Sequence, residues 1–199
     1  MHETPWGMWD PMALAEVTAL FEALESRWWI AGGYAIEAFV GRPLRTHDDI
    51  DVSFLRRDQL AIQRHLAAWD LHAADPPGTL RPWADGETLP LSVHDIWVRE
   101  TADSAWRFQL MIDDAEGDSW IFRRDTSVRL ALNDVTWERN RVRYFQPELQ
   151  LLFKAKGMRA KDLIDFEAAL PLLADSQRSW LRRMIALYLP DHPWLVRLK

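Results

Sequence analysis

Residues 28–54 read "WWIAGGYAIEAFVGRPLRTHDDIDVSF", and their last stretch runs three aspartates straight into apolar residues that favour a strand. Successive side chains on a strand point to opposite faces, so Asp49 and Asp51 are expected on one face while Ile50, Val52 and Phe54 enter a core. Two carboxylates held that close repel each other unless a cation sits between them or one is protonated. A hard divalent cation, Mg²⁺ first, relieves the repulsion. It typically takes one or two protein carboxylates plus phosphate oxygens, which points to a phosphate-bearing substrate such as a nucleoside triphosphate. The bland alternative is that Asp48 and Asp49 turn the chain before the strand and Asp51 faces solvent on an edge. Against it stand Gly32 and Gly33, which follow a short strand "RWWIA" and open a helix "YAIEAFVG" that Gly41 closes. Glycines there let backbone N–H groups approach phosphate, and a helix N-terminus adds a favourable partial charge.

Working outward, "DPMALAEVTALFEAL" predicts a helix with Asp10 as N-cap, Pro11 at the first helical position, and an apolar stripe of Leu14, Val17, Phe21 and Leu24. "DQLAIQRHLAAW" is helical by spacing. Residues 70–145 read as mostly antiparallel strand, with "LSVHDIWVRE", "WRFQLMID" and "WIFRRD" as candidates. From Pro147 the pattern turns helical: "PELQLLFKAKG", "KDLIDFEAALPLL" and "DSQRSWLRRMIALYLP", the last ending at Pro190. The expected plan is α+β, with a mixed α/β domain over 1–145 and a helical subdomain over 146–199.

The 199 residues are 48% hydrophobic and 27% charged, the composition of a globular protein that buries a core. A formal charge of −6 argues against a protein that coats nucleic acid. The absence of cysteine excludes disulfides and thiol chemistry and fits a reducing compartment. No apolar run approaches the ~20 residues that span a bilayer, and the first residues lack a secretion signal, so the cytoplasm is the default expectation. Most of the 12 tryptophans are expected in the core, with one or two among Trp83, Trp97, Trp106 and Trp120 available to stack a ligand.

The 28–54 segment resembles the signature of the DNA-polymerase-β-like nucleotidyltransferases, in particular the small antibiotic-modifying branch of aminoglycoside 2''-adenylyltransferases and lincosamide nucleotidyltransferases. The shared order is a strand, Gly32-Gly33, the aromatic Tyr34, a short helix, Gly41-Arg42, Arg45, and then His47, Asp49 and Asp51. "YFQPELQLLFKAKGMRAKDLIDFEAAL" looks like the helical part of the same branch. The resemblance implies the polymerase-β-like mixed sheet with flanking helices. It also implies transfer of a nucleotidyl group, adenylyl first, from ATP or another triphosphate to a hydroxyl of a small molecule resembling an aminoglycoside or lincosamide, with antibiotic resistance as an associated role. Two Mg²⁺ ions, held by Asp49, Asp51 and a third carboxylate, would neutralise the developing charge.

For that third carboxylate, metal ligand or base, Asp95 is the first choice and Asp113 the runner-up, with a turn role as the alternative for Asp113. Gly32, Gly33, Arg42, Arg45, His47, Lys154 and Lys161 are the nucleotide-binding candidates. The arginines can equally pair with Glu37 or Asp48, His47 can serve as support, and the lysines can be solvated helix ends. Asp165 can meet an acceptor amine or a nearby lysine. Two other readings stay open. One is the same chemistry on tRNA or protein, for which only "RRDTSVRL" and "ERNRVR" offer clustered arginines; the other is an inactive nucleotide-binding module. Monomer and homodimer are both compatible with the sequence, and no membrane partner is expected.

Overall fold

The computed structural model describes residues 1–199. In chain order it forms β1 (His2–Thr4), β2 (Gly7–Trp9), α1 (Leu14–Phe21), β3 (Trp28–Ile30), α2 (Gly32–Val40), β4 (Asp51–Leu55), α3 (Gln59–His65), β5 (Asp70–Ala73), β6 (Arg81–Pro82), β7 (Asp95–Arg99) and β8 (Trp106–Glu116). Then come β9 (Ser119–Ile121), β10 (Arg129–Ala131), β11 (Thr136–Arg139), β12 (Val142–Phe145), α4 (Pro147–Ala155), α5 (Ala160–Ala169), α6 (Asp175–Tyr188) and α7 (Trp194–Arg197). No helix is long and apolar enough to cross a membrane.

The chain folds into two compact units. One comprises Met1–Ile30 and His47–Gly117, the other Ala31–Thr46 and Asp118–Lys199. In the second unit α2 lies against α4 and α5, a partnership that segment-by-segment periodicity does not encode.

The first unit is built on a mixed sheet in the order β3-β4-β8-β7-β5-β6. The β4–β8 pair is parallel, whereas β3–β4, β8–β7, β7–β5 and β5–β6 are antiparallel. One face carries Val52, Phe54, Ile96, Val98, Phe108, Leu110 and Ile112, all essentially inaccessible to solvent. Phe21 of α1 meets Phe108 edge-on at 5.8 Å, which seats the N-terminal helix on this layer. That helix starts later than the sequence suggests, with Ala13 rather than Asp10 as its N-cap. The Asp10 and Met12 N–H groups donate to the carbonyls of Trp106 (3.0 Å) and Arg107 (2.9 Å), so the chain is still extended there and cannot turn helical until it leaves β8. Beyond β4, Arg56 donates to the carbonyls of Pro90 (2.9 Å) and Val93 (3.1 Å) and pairs with the Asp114 carboxylate, tying the loop before β7 to the end of β8.

In the second unit α2 begins at Gly32, whose φ of +66° is a left-handed backbone that a side chain strains. It ends at Gly41 (φ +84°), whose N–H returns to the Glu37 carbonyl at 2.8 Å, as expected of a glycine closure. The hairpins β9–β10 and β11–β12 and the helices α4–α7 complete the unit. Trp120, Phe122, Phe145 and Phe153 form one aromatic cluster, with Phe122 and Phe153 at 4.9 Å. Half of the 12 tryptophans are core, fewer than expected: Trp9, Trp29, Trp83, Trp106, Trp120 and Trp194 are buried.

The C-terminal "HPW", which carries no chemistry by sequence, is structural. His192 is buried, its Nε2–H donates to the Ala155 carbonyl (2.9 Å), and its Nδ1 accepts from the Trp194 N–H (3.1 Å). Burial pushes its pKa below the ordinary 6.5, more than the hydrogen bond to Ala155 raises it. The unfolded chain therefore takes up the proton first, and stability is lost as pH falls below about 6.5. Melting temperatures measured from pH 8 to pH 5 should fall less steeply for His192→Gln, despite its lower starting value, than for the wild type. Parallel slopes would remove His192 as a source of acid sensitivity.

Candidate active site

In the first unit β4 begins with Asp51. Asp49 lies two residues before it and outside the strand, although the Gln109 N–H to the Ile50 carbonyl (2.9 Å) extends the ladder by one residue. Ile50 is fully buried, while Asp49 and Asp51 are half-buried, so the pair stands at the mouth of a buried strand. The expected alternation ends after Asp51: Ser53 and Leu55 are buried as well as Val52 and Phe54, the pattern of a strand covered on both faces. Half-buried carboxylate oxygens of this kind suit a hard cation that completes its sphere with water and phosphate.

Paired residues on neighbouring strands project to the same side of the sheet. The register therefore sorts the surroundings of Asp51 into rows. Asp51 is opposite Gln109, which is opposite Trp97; Ser53 is opposite Met111, which is opposite Asp95; Leu55 is opposite Asp113. Asp95 thus lies two strands over and one row on, about 12 Å from Asp51, and Asp113 lies about 14 Å away, given strand spacings of ~4.8 Å and rises of ~3.3 Å per residue. Neither carboxylate stands beside the aspartate pair. No group of three or more Asp, Glu or His residues is placed to hold one metal ion. Asp95 is half-buried and Asp113 is buried, 7% exposed. His47 is half-buried, two residues before Asp49.

In the second unit the Gly32 N–H, at the start of α2, donates to the buried Gln150 Oε1 at 2.7 Å. Gly32 and Gly33 are both buried. Glu37 Oε1 accepts from the backbone N–H groups of Leu44 (2.7 Å) and Arg45 (3.2 Å), fixing the loop that leads toward the aspartates. The loop is thus held by backbone hydrogen bonds to Glu37. Arg42 is exposed and donates to the Pro43 carbonyl at 3.4 Å.

Arg45 reaches α5 instead, where its Nε and Nη2 meet the two oxygens of Asp165 at 3.3 and 3.2 Å. Lys154 meets the same carboxylate at 2.8 Å and Asp162 at 3.6 Å. Both aspartates are fully buried and Lys154 is 6% exposed, so this is a buried charge cluster rather than a solvated helix end. Burial alone would raise the Asp162 carboxyl, but hydrogen bonds from Arg159 and the charge of Lys154 outweigh it and hold the group below the usual carboxylate range. Asp162 also accepts the Arg159 N–H (3.1 Å), capping α5. A Cβ at Gly157 would stand 3.0 Å from that carboxylate, so a side chain there would press on Asp162. Lys161 is half-buried in the first turn of α5.

Of the residues singled out by sequence, the structure places Asp49 and Asp51 two apart at the start of β4 and brings Arg45 and Lys154 together on Asp165. Gln109 beside Asp51, Gln150 on the Gly32 N–H and the cap made by Asp162 were not expected. Isolated glutamines carry no motif, and only the strand register and helix packing reveal them.

A mixed sheet with the Asp49/Asp51 pair opening a central strand, flanked by helices, is the nucleotidyltransferase fold. Residues 13–81 match the family model described as aminoglycoside-2''-adenylyltransferase.

Among solved structures it is similar to ANT(2'')-Ia in complex with adenylyl-2''-tobramycin, at 15% identity over 88% of this chain and 96% of that one, with a TM-score of 0.57. It is also similar to the lincomycin-bound lincosamide adenylyltransferase LnuA, at 17% identity over 80% and 97% of the respective chains, with a TM-score of 0.55. At these identities the likeness is one of fold. Among curated proteins none matches the chain.

Proposed function

We infer that the protein transfers a nucleotidyl group, adenylyl first, from a nucleoside triphosphate to a hydroxyl of a small molecule of the aminoglycoside or lincosamide kind. The observation that carries this reading is the half-buried Asp49/Asp51 pair at the mouth of β4, within the segment that matches the aminoglycoside-2''-adenylyltransferase model. Asp49 and Asp51 would hold Mg²⁺, which supplies charge neutralisation at the phosphates when bound. In the transfer, the acceptor oxygen bonds to the α-phosphorus, the bond to the pyrophosphate oxygen breaks, and the hydroxyl proton passes to a base. Asp95 is the first candidate for that base and Asp113 the second, since a base needs reach to the acceptor and not to the metal. Gly33, Arg42, His47 and Lys161 are candidates for phosphate oxygens. Gly32, Arg45 and Lys154 are already engaged by Gln150 and Asp165 and act by holding the turn, the loop and α4 in place. An excess of acid over the chain favours a cationic acceptor.

The separation of Asp95 and Asp113 from Asp51 favours a second reading, an inactive nucleotide-binding module. Pyrophosphate release from ATP and Mg²⁺, measured with tobramycin, lincomycin and tRNA in turn, decides between them. Release with either antibiotic supports transfer to a small acceptor. Release with tRNA alone moves the acceptor to a macromolecule. ATP bound without release in all three supports the inactive module.

A further inference from the structure

The row that crosses the sheet at Asp51 holds one carboxylate, one amide and one indole: Asp51 on β4, Gln109 on β8 and Trp97 on β7. The place nearest Asp51 on the neighbouring strand, about 4.8 Å away across the β4–β8 pair, is the one from which a third carboxylate would share a cation with it. That place is filled by a neutral side chain. Gln109 is half-buried in the ladder, its own N–H held by the Ile50 carbonyl at 2.9 Å, so its position is fixed by backbone pairing and not by a mobile loop. The next row along offers Met111 beside Ser53, which is no better. Arg107, two residues before Gln109, is committed to Asp10 through both its carbonyl and its carboxylate. No other Asp, Glu or His completes a group of three.

A pair of divalent cations ~3.5–4 Å apart needs anionic oxygen ligands placed around both ions. One such ion ordinarily takes one or two protein carboxylates and phosphate oxygens, which Asp49, Asp51 and a triphosphate supply. With a neutral amide at the third place, a second ion lacks the carboxylate ligand that a hard cation prefers.

We propose that this centre takes a single divalent cation, held by Asp49 and Asp51 with the nucleotide, and that Gln109 is the residue that excludes a second. The proposal rests on the nucleotidyltransferase reading given above. Its consequence is that the acceptor hydroxyl is not activated by a metal of its own, so deprotonation falls to a side chain.

The test counts Mn²⁺ on the full chain by electron paramagnetic resonance with saturating α,β-methylene-ATP, after subtracting the free complex. The expected result is one Mn²⁺ per chain with an uncoupled spectrum. Two Mn²⁺ per chain with a spin-coupled spectrum overturn the proposal while leaving the nucleotidyltransferase reading intact, whereas no protein-bound Mn²⁺ overturns both. Gln109→Asp, verified as folded by circular dichroism, should gain a second, coupled ion. Failure of that folded variant to gain one removes Gln109 as the excluding residue, and the wild-type count stands on its own if the variant does not fold.

Discussion

Asp51→Asn is expected to lower nucleotidyl transfer by a thousand-fold or more, ~4 kcal/mol of transition-state stabilisation, while the protein stays folded. The amide is nearly isosteric, so the half-buried start of β4 tolerates it. What it lacks is charge: a hard cation is held by carboxylate oxygen, and a neutral amide cannot balance it at the phosphates. Asp49→Asn should behave alike. Pyrophosphate release and thermal melting, run on both variants and the wild type, read the two halves of the statement. Near-normal turnover in both would refute the assignment of the pair. Asp95→Asn and Asp113→Asn belong in the same series, because only the variant that removes the base should lose activity.

The largest loss of stability is expected from Asp165→Asn. One fully buried carboxylate there faces two cations, Lys154 at 2.8 Å and Arg45 at 3.2 Å. Removing one partner of a buried ion pair leaves charge uncompensated and costs roughly 3–5 kcal/mol. For a chain of this size that is a fall of about 10 °C in Tm. Lys154→Met added to Asp165→Asn should return part of the loss, because it removes one of the stranded charges. Additive destabilisation in the double variant would show that the cluster is not electrostatically coupled.

Much of this was legible in the sequence wherever local pattern and local chemistry coincide. The glycine closure of α2, the proline start of α4 and the burial of Ile50, Val52 and Phe54 follow from neighbours a few residues apart. The late start of α1 was not legible, because the hydrogen bonds that keep residues 10–12 extended come from β8, some hundred residues on. The same holds for Lys154, whose positive end looks solvated in "FKAKG" until α5 brings Asp162 and Asp165 to it. Asp95 lay on the right kind of strand. Only the register reveals that Gln109, and not an acid, is the nearest neighbour of Asp51.

The backbone passes between the two compact units three times, after Ile30, after Thr46 and after Gly117. Neither unit is therefore a contiguous stretch of coding sequence. A gene fragment cut at any single point, the change of grammar at residue 146 included, yields one unit with pieces missing or with stray pieces of the other. Single-point domain transplantation should fail here. Exchange of parts with a relative would have to move residues 31–46 together with 118–199, as one cassette in two pieces.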